Sequence, residues 1–359
     1  MGFLQRGLLL VGGVLVGLLA LEVGLRLYGV INREAGAHLE RLTDWNYGIE
    51  FRWTSHPFLP YIGTPNLEYV VQREDAPAGV QGKNNSLGFR TQEFPERKEP
   101  GDYYVIALGG STTWGAISES NETTWPGLLE QRLRARYPDR NIKVFNFGAS
   151  AATCVYSIVS LALMGVHLQP DLVIVYQGVT DLEPIHARHY RTDQAHYFKD
   201  FLVDTTWVGL RRSLPSWLRQ SYLLAYTTSL LDDALEVNSL MFYVTNRVTE
   251  QTDDTGLAVH RMLEDLQTID AISTGSGAQT LFSTFQFYDP TGSRMNADLR
   301  QFFAENGLAY VDQDALIPDF DRSINIDDCH FTRKGDELMA ENYFRYIVDH
   351  RLIEEQPRR

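Results

Sequence analysis

Two short stretches hold residue types that can do nucleophilic chemistry: Gly109-Gly110-Ser111-Thr112-Thr113, and much later Asp327-Asp328-Cys329-His330. A serine directly after two glycines, where an apolar run gives way to a helical pattern, exposes its hydroxyl. Its backbone N–H is also free to point at a developing oxyanion. A carboxylate three residues before a histidine can bond one ring nitrogen and fix the tautomer. The other nitrogen can then take a proton from a serine. Each stretch also has a plainer explanation. Serine is a favoured helix N-cap, and an Asp–His pair at a helix entry, with Thr332 as the cap, is ordinary surface. Neither stretch decides the matter alone.

Such residues work only if the fold brings them together, so the elements around them matter. YYVIALGG (residues 103–110) is a short apolar run with β-branched members, and WPGLLEQRLRARY places Trp125, Leu128, Leu129 and Leu133 on one helical face. IKVFNFG (142–148) predicts a second strand, and CVYSIVSLALMGVHL an apolar helix. DLVIVYQG (171–178) is apolar without alternation, as expected for a parallel strand buried on both faces. Helix AVHRMLEDLQTIDAI, strand AQTLFSTFQF (278–287), helix NADLRQFFAENG and strand LAYVDQD lead to the Asp327–His330 stretch and a last helix, DELMAENYFRYIV. The alternation predicts a three-layer α/β/α sandwich with a central parallel sheet. In such sheets catalytic groups gather at the carboxyl edge.

Between about residues 183 and 250 the rhythm breaks into a long helical, aromatic-rich insert, of the kind that forms a lid, a substrate wall or a membrane-facing flap. Its Trp207, Trp217, Tyr222 and Tyr226 suit plain packing, lipid headgroups or a sugar chain. His186, His189 and His196 follow Asp181 and Glu183, a grouping that could bind zinc, although polar wall positions explain it better. No metal is expected.

Taken as a set, the motifs resemble the SGNH/GDSL hydrolase family, over a hydrolase-like domain at residues 101–352. Gly109-Gly110-Ser111-Thr112 is similar to the first block, and Asn146-Phe147-Gly148 to the second. Gly178-Val179-Thr180-Asp181 stands where the family's Gly-x-Asn-Asp belongs, and the Asp327 to His330 stretch matches the fifth block. The resemblance implies a flavodoxin-like sheet and a Ser111–His330–Asp327 triad. It also implies an oxyanion hole from Ser111, Gly148 and position 180, and no cofactor. Position 180 departs from the pattern: a threonine replaces the asparagine amide arm, and losing one oxyanion donor costs about 3–4 kcal/mol at worst. The two cysteines, Cys154 and Cys329, could be buried inert thiols or a single disulfide; because the second block and the His330 loop border one site in the family, the resemblance puts them near one another, where a disulfide is possible.

The chain's 359 residues, 44% hydrophobic and 22% charged, are ordinary globular material. A formal charge of −14 argues against nucleic-acid binding, since phosphates would be repelled. The first thirty residues differ. GLLLVGGVLVGLLALEVG (7–24) holds one charge, Glu22, and is long enough to cross a bilayer. Leu21, Glu22 and Val23 supply no small-x-small cleavage site, which favours an uncleaved membrane anchor over residues 1–30. Arg6, Arg26 and Arg33 flank both ends, so charge does not orient it. Residues 31–100 are rich in Pro, Gly and aromatics, and Pro57, Pro60 and Pro65 forbid a long helix. This segment is expected to wrap onto the domain. The anchor and the segment at residues 84–90 are similar to a membrane-attached bacterial branch of the family, with the body outside the cytoplasm.

The activity implied is that of a membrane-anchored serine esterase acting on an ester substrate such as an acylated polysaccharide or lipid. The alternatives are O-acyl transfer to an envelope polysaccharide with a membrane-protein partner, or a binding and assembly role that kept the fold.

Overall fold

The most apolar, β-branched runs of the chain pair with one another in the computed structural model, as one five-stranded parallel sheet. The structure describes residues 2–33, 35–36, 39, 53–54, 56–73, 76–186, 190–198, 214–234, 255–288, 290–317 and 320–353. They fall into two units, residues 55–202 with 244–359, and residues 1–54 with 203–243.

In the larger unit an antiparallel hairpin, β1 (Glu68–Arg73) and β2 (Ala76–Lys83), precedes the sheet. The proline-rich segment is thus partly strand, where an extended wrap was expected. The sheet strands are β3 (Asp102–Gly109), β4 (Asn141–Asn146), β5 (Leu172–Tyr176), β6 (Gln279–Ser283) and β7 (Tyr310–Val311), in the order β4-β3-β5-β6-β7. Ile106 of β3 stands opposite Phe145 of β4 and Val173 of β5. All five residues of β5 are buried, which is why its sequence lacks alternation.

Helices α1 (Trp125–Arg136), α2 (Cys154–Leu163), α3 (Thr255–Gly275), α4 (Pro290–Glu305) and α5 (Arg333–Asp349) cover the sheet. The chain leaves β3 in one direction to reach β4, then returns past β3 to β5. Right-handed crossovers in opposite directions put α1 and α2 on opposite faces. Accordingly α1 packs with α5, and α2 with α3. Trp125 anchors the first pair: it is fully buried, with its ring centroid 4.8 Å from that of Tyr343 on α5. Truncating such a side chain costs about 3–5 kcal/mol. The reversal of strand order opens a crevice at the carboxyl ends of β3 and β5. Ser111 lies two residues beyond the end of β3.

The smaller unit contains the N-terminal helix Phe3–Ile31 and a helix over Tyr222–Ala234. By length and composition, Gln5–Ile31 can cross a membrane, with a mean hydropathy of 2.4. The expected insert is divided. Val179–His186 and residues 190–198 fall in the larger unit, whereas Ser216–Arg219 and Tyr222–Ala234 fall in the smaller. Trp207 and His189 lie outside the described residues.

Candidate active site

Gly109 ends β3 so close to Thr113 and the Tyr176 carbonyl that a side chain would collide with both. The chain therefore turns at once into a one-turn helix, Ser111–Trp114, closed by Gly115 at φ 82. Ser111 is the first residue of that turn, and Gly110 is its cap. Its Oγ stands 2.8 Å from His330 Nε2. On the far side of the ring, Nδ1 lies 2.9 and 2.8 Å from the two oxygens of Asp327.

The Asp327 loop is folded around its own carboxylate. Oδ1 accepts the backbone N–H groups of Cys329 (3.0 Å) and His330 (2.8 Å). The Thr112 hydroxyl donates to the Cys329 carbonyl at 3.0 Å, tying this loop to the serine turn. Thr332 then caps α5, as the sequence suggested, by accepting from the Gly335 N–H.

Burial alone would raise the Asp327 carboxyl. The bond to His330 and the two backbone donors outweigh it and hold the group well below the usual carboxylate range. For His330, burial works downward, but the Asp327 bond and the neighbouring Cys329 prevail and raise it to about 10. The imidazole is thus made a stronger proton acceptor and is fixed with Nε2 toward the serine. A serine hydroxyl, a histidine and a carboxylate in line can transfer a proton out of the hydroxyl as it attacks.

The oxyanion side differs from expectation. The Gly148 N–H is already engaged, donating to Asn146 Oδ1 at 2.9 Å. Asn146 Nδ2 in turn donates to the Thr113 carbonyl at 2.7 Å. Position 148 is glycine because it abuts the backbone of Thr113 and Trp114, where a Cβ would not fit. The Gly148 N–H is therefore not free for the oxyanion role that the resemblance implied. Three residues on, Ala151 adopts the left-handed conformation, with φ 58. Its N–H finds no acceptor among the described residues, and the preceding carbonyl, of Ser150, is held by the buried Tyr61 hydroxyl. The carbonyl of the next residue, Ala152, lies 3.5 Å from where a Gly110 Cβ would stand, and Thr180 Oγ1 lies 3.3 Å from the same point. The Ala151 loop and the Thr180 hydroxyl therefore both flank the serine turn. Thr180 makes no hydrogen bond through its hydroxyl among the described residues. Its neighbour Asp181 is structural: Oδ1 accepts the Cys154 N–H at 2.6 Å and caps α2, and burial lifts its carboxyl to about 7.

Of the two readings of the cysteines, the structure has the free thiols: Cys154 and Cys329 are not bonded. Cys154 is buried against Asp181, while the Cys329 Sγ lies 3.5 Å from His330 Nδ1. Asp327, Cys329 and His330 place ligand-type atoms within 4.8 Å of one another, the one such group among the described residues. There the ring nitrogen is committed to Asp327. His196 is buried, with Nε2 at 2.8 Å from the Pro184 carbonyl and Nδ1 accepting from the Arg191 N–H. It is therefore a locked packing residue. The His186 side chain lies outside the described residues.

Sequence reasoning missed a buried support behind the serine. Arg90, 1% exposed, donates to the carbonyls of Gln81 (2.8 Å), Trp114 (3.3 Å), Gly115 and Ser118 (3.0 Å), and to Asn121 Oδ1 (3.1 Å). The Ser118 hydroxyl donates to Asp336 Oδ2 at 2.8 Å, in the first turn of α5. The exit of the serine turn and the helix behind His330 are thereby joined. The only signal was an arginine in an otherwise turn-like run, which carries no direction by itself.

The model of the GDSL-like lipase/acylhydrolase family matches residues 107–338, from within β3 to within α5. The chain belongs to this family. It is an ester hydrolase. Comparison with curated proteins gave no match. Among solved structures, a putative GDSL-like lipase from Parabacteroides merdae is 13% identical, with 72% of this chain and 100% of that one covered at a TM-score of 0.43. An acetylxylan esterase from Geobacillus stearothermophilus is 14% identical, covering 70% and 96% at 0.41. An α/β hydrolase from the Lake Arreo metagenome is 16% identical, covering 68% and 95% at 0.42. The matched span of this GDSL-like hydrolase includes Ser111, Asp327 and His330.

Proposed function

We propose that this GDSL-like hydrolase cleaves acyl esters with Ser111 as nucleophile, His330 as general base and acid, and Asp327 as the orienting carboxylate. The observation that carries the reading is the unbroken hydrogen-bond chain from Ser111 Oγ through both nitrogens of His330 to Asp327.

Ser111 Oγ attacks the ester carbonyl carbon while its proton passes to His330 Nε2. The oxyanion is met by the N–H groups of Ser111 and Ala151 and by the Thr180 hydroxyl. Collapse of the tetrahedral adduct breaks the bond to the alcohol oxygen, which takes the proton from Nε2. Water then attacks the acyl-serine, again giving a proton to Nε2, and the acid leaves as the Ser111 hydroxyl is restored. Every step uses groups of the chain and water. The N-terminal helix, long and apolar enough to cross a bilayer, holds the hydrolase at the membrane with its body outside the cytoplasm.

Labelling with a fluorophosphonate tests the reading whatever the natural ester is. Wild type is expected to label stoichiometrically, and Ser111→Ala not at all. A wild type inert to the probe, or a variant that still labels, overturns the assignment.

A further inference from the structure

The N-terminal helix carries one carboxylate inside its apolar run. Counting at 1.5 Å per residue, the stretch from Arg6 to Arg26 is about 30 Å long, the thickness of a bilayer's hydrocarbon core. Glu22 lies about one helical turn inside the Arg26 end. A carboxylate at that depth is costly unless partnered, and here it has four partners. Arg26 Nε donates to Oε1 at 2.7 Å. The Ser221 hydroxyl and the backbone N–H groups of Tyr222 and Leu223 donate at 2.8, 3.1 and 2.8 Å. Arg26 also donates to the Gln220 carbonyl at 2.7 Å and sits 4.7 Å from the centre of the Tyr222 ring. Glu22 is thus the N-terminal cap of the helix Tyr222–Ala234, supplied from far away in sequence. The cap fixes the start of that helix within a turn of the membrane boundary.

The helix and its preceding turn expose large apolar and aromatic side chains at that level. Trp217 is 70% exposed, Leu230 50% and Tyr226 41%, whereas Ala225 and Thr228 are buried. Tyr226 and Leu230 are four apart and share one helical face. The hydroxyls of Thr227 and Thr228 turn back onto carbonyls of their own helix, Leu223 and Leu224, at 2.8 and 2.9 Å. That arrangement satisfies them without water. The preceding turn holds one charge, Arg219, and from Tyr222 onward charge returns only at Asp232 and Asp233.

We infer that residues 216–231 form a second membrane contact, lying in the headgroup-to-acyl boundary of the bilayer and latched to the anchor through Glu22. The inference rests on the anchor reading above. A tryptophan and a tyrosine beside leucines are the residues that gain most at this boundary, where one end of the ring is dry and the other wet. The latch gives the insert its function: it sets the height of the segment relative to the membrane.

The test uses the full chain in phosphatidylcholine vesicles whose acyl chains carry bromine, a quencher of tryptophan fluorescence. Wild type is expected to be quenched, and Trp217→Phe to lose the Trp217 share of that quenching. Glu22→Ala is expected to reduce the Trp217 share, with the far-ultraviolet circular dichroism of the body unchanged. Equal quenching of wild type and Trp217→Phe in an anchored chain overturns this inference alone. An undiminished Trp217 share in Glu22→Ala overturns the latch. A chain whose intact mass lacks residues 1–31 overturns both this inference and the anchor.

Discussion

Ser111 and His330 are 219 positions apart in sequence and 2.8 Å apart at Oγ and Nε2. The approach needs no long arm on either side. Ser111 follows β3 at its carboxyl end, beside the point where the strand order reverses, and His330 sits on the loop that enters α5. A second polar link, Thr112 Oγ1 to the Cys329 carbonyl at 3.0 Å, holds loop and turn in register.

The pH dependence follows from the His330–Asp327 pair. His330 is raised from 6.5 to about 10, and only its neutral form can accept the serine proton. kcat/KM is therefore expected to rise with pH, with a midpoint on the alkaline side of an ordinary histidine. Asp327→Asn should move that midpoint down and lower kcat by about 10³–10⁴-fold. A pH–rate profile of both forms checks this, and a wild-type midpoint at or below 6.5 contradicts it.

Thr180 should act in the transition state alone. Thr180→Val keeps the shape and removes the hydroxyl, so kcat is expected to fall by about 10²-fold with KM little changed. Thr180→Asn, which supplies an amide donor, should retain more activity than the valine variant. Steady-state kinetics on a chromogenic acyl ester distinguishes the two. An unchanged kcat in Thr180→Val removes the hydroxyl from the oxyanion hole.

Positions 148 and 151 should respond in opposite ways. A Cβ at Gly148 would stand 2.8 Å from the Thr113 carbonyl carbon, so Gly148→Ala must push the serine turn outward. It is expected to cost about 1–3 kcal/mol of stability. Ala151→Gly relieves an alanine held at φ 58, for a net gain of up to about 1 kcal/mol. Denaturant midpoints of the two variants give the signs directly.

Asp336 is the buried carboxyl of the support behind the site. Burial, only partly offset by the Ser118 hydroxyl and Arg90, lifts it from 3.8 to about 8. Across that window the folded state keeps a proton that the unfolded chain releases, so this group makes stability fall as pH rises from about 4 to about 8. Asp336→Asn stays neutral. It should therefore be more favourable relative to wild type at pH 8 than at pH 5, as read from urea midpoints at both values. Ser118→Ala, which strands the carboxyl, should cost about 1–3 kcal/mol.

Much of this was legible in the residues. A fully buried parallel strand must be apolar at every position, so β3 and β5 announced themselves and their order implied the sandwich. The serine after a double glycine and the Asp-x-x-His run lie on local turns whose geometry is set within a few residues, so their chemistry could be read locally. The threonine at position 180, where the family has asparagine, was likewise visible as a departure.

Other features depended on which way a side chain turns in the folded protein. Gly148 and Ala151 are both small residues of one loop, and nothing local says which N–H is free. The answer lies with Asn146, whose side chain takes the Gly148 N–H and the Thr113 carbonyl. The cysteines, which could have paired or stayed inert, face Asp181 and His330 as free thiols. Arg90, Ser118 and Asp336 come from three separate segments and were unremarkable until brought together. Sequence determined the sheet and the two stretches that hold Ser111 and the Asp327–His330 pair, because periodicity and short-range turns encode them. Tertiary structure decided which N–H groups beside the serine turn stay free and what the buried polar support is, because hydrogen bonds between distant segments have no periodic trace in the chain.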